Sequence, residues 1–337
     1  MKKSITSVAA LGVASIAGLL NANHAFACAS CGCTLSSDWE NLSFSNSSGF
    51  KLDIRYDYLN QDQLRSGTNT ISSSDASKII NDGNPQEVEK YTKNNYVTLG
   101  LDYSPNASWG VNIQLPYINR SHSTLGTASD GLRPGEDGGQ YDSQTSNIGD
   151  IKLIGRFQGF NEQHNLGVMF GFKLPTGSYK QTGTSTDLSA PGAVEIDRGL
   201  QPGTGTTDAI LGMYYSASLN KDWDYFSQAI YQTALNSKDD YKPGDGLNIN
   251  VGVRYFGFSD FTPQLQLNTR NVKHDTGMNA DTVSTGGTLV YLSPGVSIPI
   301  SKQTSINGYV QLPIFQDVKG VQLAPTYTAS VNLRIKF

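Results

Sequence analysis

One pattern constrains this chain more than any other: a period of two, repeated in segment after segment. In "KLDIRYDYL" (51–59), Leu52, Ile54, Tyr56 and Tyr58 alternate with Lys51, Asp53, Arg55 and Asp57. Successive side chains of a strand point to opposite faces, so this run makes a ribbon with one greasy and one wet face. The same reading holds at 96–103, 109–117, 150–157, 165–174, 209–219, 224–235, 246–256, 263–270, 287–300 and 305–315. It holds last at "TYTASVNLRIKF" (326–337). That makes twelve segments, and the chain reads as all-β.

The connections alternate as well. "SPNAS", "GFNEQH", "NKD", "GFSDFT" and "SKQT" are short, whereas the links after the first, third and fifth segments are long, polar and rich in Gly and Ser. Short turns at one end and long loops at the other describe a transmembrane antiparallel β-barrel. An even number of strands, about 12, places both termini in the periplasm.

A soluble barrel would show the same alternation with the faces reversed. Three features favour the membrane form. Bulky charge sits in mid-strand on the wet faces, at Lys152, Arg156, Arg254, Arg270, Arg334 and Lys336. Aromatic residues stand near strand ends (Tyr103, Trp109, Tyr117, Trp223, Tyr255, Tyr327), where an interfacial girdle belongs. The chain closes on Phe337 in register with Leu333 and Ile335, which is similar to the C-terminal insertion signal read by the outer-membrane assembly machinery. Charged residues make up only 16% of the chain, low for a cytosolic enzyme.

The N-terminus divides the chain further. Lys2 and Lys3, the uncharged run "SITSVAALGVASIAGLL" and the small-x-small stop Ala25-Phe26-Ala27 read as a Sec signal peptide over residues 1–27. Residues 28–49 then form a periplasmic cysteine-containing tail or plug, and 50–337 the barrel. Losing the two lysines would take the formal net charge from −4 to −6. That balance argues against nucleic acid and leaves membrane lipid and a small solute as the partners.

All three cysteines, Cys28, Cys31 and Cys33, fall in "CASCGC". Three readings stay open: a small disulfide with one thiol over, a soft-metal site for copper or zinc completed by the terminal amine, or thiol exchange with a periplasmic partner. A Ser–His hydrolase reading finds only His122, flanked by Ser121 and Ser123. Adjacent strand residues face opposite ways, so His122 reads as a solvated loop histidine and the chain as no enzyme.

Four stretches carry a family resemblance: "NIGDIKLIGRF" (147–157), "GFKLPTGSY" (171–179), "PGTGTTDAILGMYYS" (202–216) and "YLSPGVSIPI" (291–300). They resemble the outer-membrane barrel family named for the meta-pathway of phenol degradation. The resemblance implies transport of small, often aromatic or hydrophobic molecules across the outer membrane of a Gram-negative cell. The cysteine cluster lies outside that pattern.

From the residues themselves, about twelve strands give a narrow lumen, between a side-chain-filled barrel and an open porin. Asp53, Arg55 and Asp57 would line it beside Arg334 and Lys336 across the closing seam, as a structural ladder or a selectivity lining. With Lys152, Arg156, Arg254 and Arg270 the lumen favours anionic or polar solutes. The alternative function is a metal- or redox-linked protein whose barrel anchors the cysteine tail.

Overall fold

A computed structural model describes residues 48–81, 84–85, 87–126, 139–186 and 191–337. The expected signal peptide and nearly all of the cysteine tail lie outside the described residues, as do Cys28, Cys31 and Cys33.

The ring begins with β1 (Gly49–Gly67), β5 (Val88–Ser104) and β6 (Trp109–Leu125). It continues through β8 (Ile151–Phe157), β9 (Leu166–Leu174), β12 (Asp208–Ser218) and β13 (Trp223–Ala234). The remainder is β14 (Gly246–Tyr255), β15 (Thr262–Val272), β16 (Gly287–Pro299) and β17 (Thr304–Lys336). Each strand pairs antiparallel with the next, and β17 pairs back onto β1, which closes the barrel. Four further strands join the same sheet: β2 (Asn69–Thr70), β7 (Gln140–Ile148), β10 (Thr182–Ser185) and β11 (Gly192–Glu195). A loop ribbon of β3 (Ile80–Asn81) and β4 (Asn84–Pro85), a one-turn helix α1 (Ser73–Ala76) and a 3-10 turn (Arg198–Leu200) complete the elements.

β17 is 33 residues long and serves two neighbours. Its first part pairs with β16 as far as Val318, and the part from Val318 onward pairs with β1. The backbone takes φ +62° at Gly320, where a Cβ would meet Ser284 Oγ at 2.6 Å. The two parts also touch: the Gln316 side-chain amide donates to the Pro325 carbonyl at 2.9 Å, and Thr328 Oγ1 to Gln311 Oε1 at 3.1 Å.

The faces are inverted relative to a soluble protein. Leu99, Leu101, Val111, Ile113, Leu265 and Leu267 point outward and are each 43–45% exposed. Their strand neighbours Asp102, Asn112, Gln266 and Asn268 are buried. Buried polar groups need partners, and along β13 to β16 several find them across strands. Asn268 donates through Nδ2 to Asn250 Oδ1 at 2.8 Å, Asn250 to Gln228 Oε1 at 3.2 Å, and Ser293 Oγ to Asn268 Oδ1 at 2.5 Å.

The inner wall is not uniformly wet, however. Ile154, Met169, Ile210, Tyr214 and Ile230 form a buried apolar patch on β8, β9, β12 and β13, and Phe226 packs with Tyr309. On those strands the inner face is apolar in part, between Lys152, Arg156, Lys173 and Asp208, which the alternation did not reveal.

Aromatic rings gather at the short-turn rim. Phe50 stacks on Tyr103 at 4.5 Å, Trp109 lies 4.7 Å from Phe157, and Trp223 lies 4.8 Å from Tyr255. Eight residues along their strands stand Tyr58, Tyr117 and Tyr231, a second set about 26 Å away at ~3.3 Å per residue. With strands tilted by roughly 35–45°, the interval between the sets approaches the ~25 Å apolar band of an outer-membrane barrel.

Candidate functional site

Three charged side chains from distant parts of the ring meet across the lumen. Arg55 comes from β1, Lys152 from β8 and Arg270 from β15, and all three line one cavity of about 260 Å³. Lys152 lies in the repulsive field of Arg55, Arg270 and Lys173 and the attractive one of Asp208. Arg55 is steadied by its Nε donating to Asp57 Oδ2 at 2.8 Å, and Ser330 Oγ donates to the other Asp57 oxygen at 2.5 Å. Arg270 reaches Asn248 Oδ1 at 3.4 Å.

The other expected lining residues lie elsewhere on the wall. Arg156 binds Asp102 with both terminal nitrogens and Ser104 Oγ at 2.5 Å, and Lys51 approaches the same carboxylate at 3.4 Å. Arg254 grips Asp224 through Nε and Nη2. Across the seam Arg334 Nε donates to Asp53 Oδ1 at 2.8 Å, joined by the Asn332 amide at 3.0 Å. Lys336 does not face the acids of β1. It is exposed at the rim and stands opposite Lys51 in register, because the pairing runs Asp53 to Arg334. Phe337 donates its N–H to the Phe50 carbonyl at 2.9 Å.

Between β9 and β12, the segment 198–204 reaches into the lumen and lines the same cavity. Its footing joins the motifs of three segments. Lys173, of "FKLPTG", lies 3.2 Å from Asp150 Oδ2 and 3.0 Å from Asp208 Oδ2. Asp150 also accepts from the Gly177 N–H, the Thr204 N–H and the Thr204 hydroxyl, each at 3.0 Å. Asp208 accepts from Thr206 Oγ1 at 2.7 Å and from the Gln232 amide at 2.6 Å. Two glycines make the approach feasible: a Cβ on Gly203 would lie 2.5 Å from the Gly177 carbonyl oxygen, and one on Gly177 would lie 2.8 Å from Gly203 Cα.

Two arginines secure the inner end of that segment. Arg120 of β6 donates to Asn94 Oδ1, to the Tyr96 hydroxyl and, at 3.2 Å, to the Gly199 carbonyl. Arg198 lies between the rings of Tyr179 and Tyr241, 4.7 and 4.8 Å from their centroids, and donates to the Thr204 carbonyl at 2.7 Å.

Lys173, Asp150, Asp208, Arg120 and Arg198 were not singled out from the sequence. For Asp150, Lys173 and Asp208 the signal was their place in or beside the "NIGD", "LPTG" and "PGTGTTD" motifs, which read as a family mark rather than as one cluster, whereas Arg120 and Arg198 lie outside all three. His122 also differs from its expected place. It is buried on the inner face of β6, with Nδ1 2.8 Å from Thr92 Oγ1, because β6 runs on past the expected end of the third strand. A Ser–His contact does occur at a short turn, Ser108 Oγ to His164 Nε2 at 3.1 Å. The Ser108 and Trp109 N–H groups both donate to Asn106 Oδ1, so they offer no oxyanion hole.

No protein-family model matches this chain, and none of the curated proteins does. Among solved structures, an outer membrane channel from Pseudomonas putida F1 superposes with a TM-score of 0.58 at 12% identity, over 88% of this chain and 97% of that one. The fold is that of an outer-membrane β-barrel. A toluene transporter of Ralstonia pickettii, TbuX, gives 0.47 at 12% identity, over 86% of this chain and 90% of its own. A FadL homologue of Pseudomonas aeruginosa gives 0.42 at 9%, over 86% and 90%. At 12% identity the likeness to the Pseudomonas putida channel is one of fold, and the resemblance to the phenol meta-pathway family rests on its four sequence segments alone.

Proposed function

We propose that this protein is an outer-membrane channel for small solutes, and that its lumen prefers anions. The observation that carries the reading is the convergence of Arg55, Lys152 and Arg270 on one cavity inside a barrel whose outer wall is apolar. Cations that face each other in a narrow, low-dielectric passage raise the local concentration of counter-ions and repel cations. Arg156, Arg254 and Arg334 belong to a structural ladder on this reading, since each is held by an aspartate and none lines the cavity, whereas Arg55 lines it with Asp57 steadying its Nε.

Several finer points belong to the same proposal. Counting β17 as two staves that reverse at Gly320 gives twelve, because 33 residues in one line would span ~110 Å, far beyond its neighbours. The short-turn rim, which holds both Gly49 and Lys336, would face the periplasm. The tail at residues 28–49 would plug the lumen or bind a partner there, by thiols or through a soft metal at Cys28, Cys31 and Cys33.

The test is conductance of the refolded chain in a planar bilayer under a salt gradient, with and without residues 28–49. Discrete steps with an anion-selective reversal potential are expected. Steps seen only after truncation would make the tail a plug. A cation-selective pore would overturn the lumen assignment, and silence of both forms, with folding verified, would overturn the channel.

A further inference from the structure

The cavity has two unlike walls. Arg55, Lys152 and Arg270 make the cationic side. Pro116, Ile118 and Pro202 make an apolar one, gathered around Gly149: a Cβ there would stand 2.8 Å from Ile118 Cδ1, 3.1 Å from Pro116 Cγ and 3.2 Å from the Pro202 carbonyl oxygen. The carboxylates that also line the space are committed. Asp150 and Asp208 are held by Lys173 and by the threonines of the inward segment, while Asp275 accepts from the Tyr241 hydroxyl at 2.9 Å and the Gly244 N–H at 2.8 Å.

Six of the lining side chains are cationic and three are carboxylates, and with Asp57 held against Arg55 and Asp239 near Arg198 just outside the space, a small excess of positive charge remains. Like charges that converge in a poorly solvated space are most stable with an anion between them. A fully hydrated inorganic ion would satisfy the cations and waste the apolar wall. A neutral hydrocarbon would do the reverse. At about 260 Å³ the cavity also lies below the ~300–1,000 Å³ usual for drug-sized ligands.

We propose that this cavity is a binding subsite for small amphipathic carboxylates, with the head group held by Lys152, Arg270 and Arg55 and a compact apolar body laid on Pro116, Ile118 and Pro202. The proposal rests on the channel reading and names the solute class for which its narrow point is shaped.

The experiment is calorimetric titration of the folded chain in uncharged detergent micelles with benzoate, its neutral isostere benzamide, and inorganic phosphate. Saturable benzoate binding is expected, with benzamide and phosphate at least about tenfold weaker, the scale of one lost charge-assisted hydrogen bond. Lys152→Met and Arg270→Met should each weaken benzoate about tenfold, and Ile118→Asn should weaken benzoate while leaving phosphate unchanged. Phosphate binding as tightly as benzoate would make this a plain anion site, and benzamide binding as tightly would deny the cations a role. No saturable benzoate binding by the wild-type chain would overturn the proposal outright. The three-probe comparison on wild-type protein needs no variant to fold. Because titration does not require conduction, a silent bilayer sinks the channel reading and a flat titration sinks the carboxylate subsite, each independently of the other.

Discussion

Lys173 holds two carboxylates that would otherwise face each other inside the wall. Its side chain is 8% exposed, and those of Asp150 and Asp208 are 6% and 3%. Breaking a buried ion cluster by deleting one partner costs about 3–5 kcal/mol, mostly because the remaining charge is stranded. Lys173→Met is therefore expected to lower the unfolding free energy by about that amount in a denaturant titration. A loss below ~1 kcal/mol would mean that the cluster is solvated. The cluster was hard to read in advance for a topological reason. Its members lie on β8, β9 and β12, or just beside them, and only the adjacency of those strands brings them together. The seam pairing was more accessible, because Asp53 and Arg334 sit on clearly alternating segments whose neighbourhood follows from closure.

At the scale of elements, the membrane-spanning parts were legible and their extensions were not. β1 continues through "NQDQLRSG", β5 begins at "VEKYTKNN", and β6 and β7 run through "INRSHSTL" and "QYDSQTSNI". Beyond the apolar band no lipid demands a greasy face, so the period of two disappears while the hydrogen-bond ladder goes on. At that same end, burial raises the carboxyls of Asp197, Asp275 and Asp281 above the usual range, with repulsion from Asp281 adding to the effect at Asp197 and Asp275. Each therefore holds its proton more tightly folded than unfolded. Their stabilising contribution is complete below the unfolded value of about 3.9 and is lost as pH rises through the raised values. Amide exchange across residues 273–286, corrected for the intrinsic rate, is accordingly expected to be slower at pH 4 than at pH 8. Asp281→Asn should flatten that difference. Equal protection at both pH values would show that these carboxylates do not govern the loop.

The molecule as a whole is defined by which way its faces point, and sequence periodicity alone could not decide that. Mid-strand charge and terminal aromatics tipped the balance, and both are placed as a lipid-spanning barrel needs them. The distinction can be tested at one position. Leu99 is 44% exposed in the middle of the outer wall. In a bilayer, Leu99→Arg should cost about 2–4 kcal/mol, as measured by denaturant-induced unfolding from lipid vesicles. On a water-facing wall the same change would stay within about ±0.5 kcal/mol.

Closure also has a consequence for how the chain assembles. The contact between Asp53 and Arg334 joins residues 281 apart in sequence, so the clasp closes a loop of nearly the whole described chain. Until it fastens, the sheet has two raw edges, and each is a template for a strand from another copy. A slip of one residue would set Arg334 opposite Leu52 or Ile54, turning a cation toward lipid. The charges at the clasp thus act as a key for register: they admit one alignment of the chain with itself and reject its neighbours.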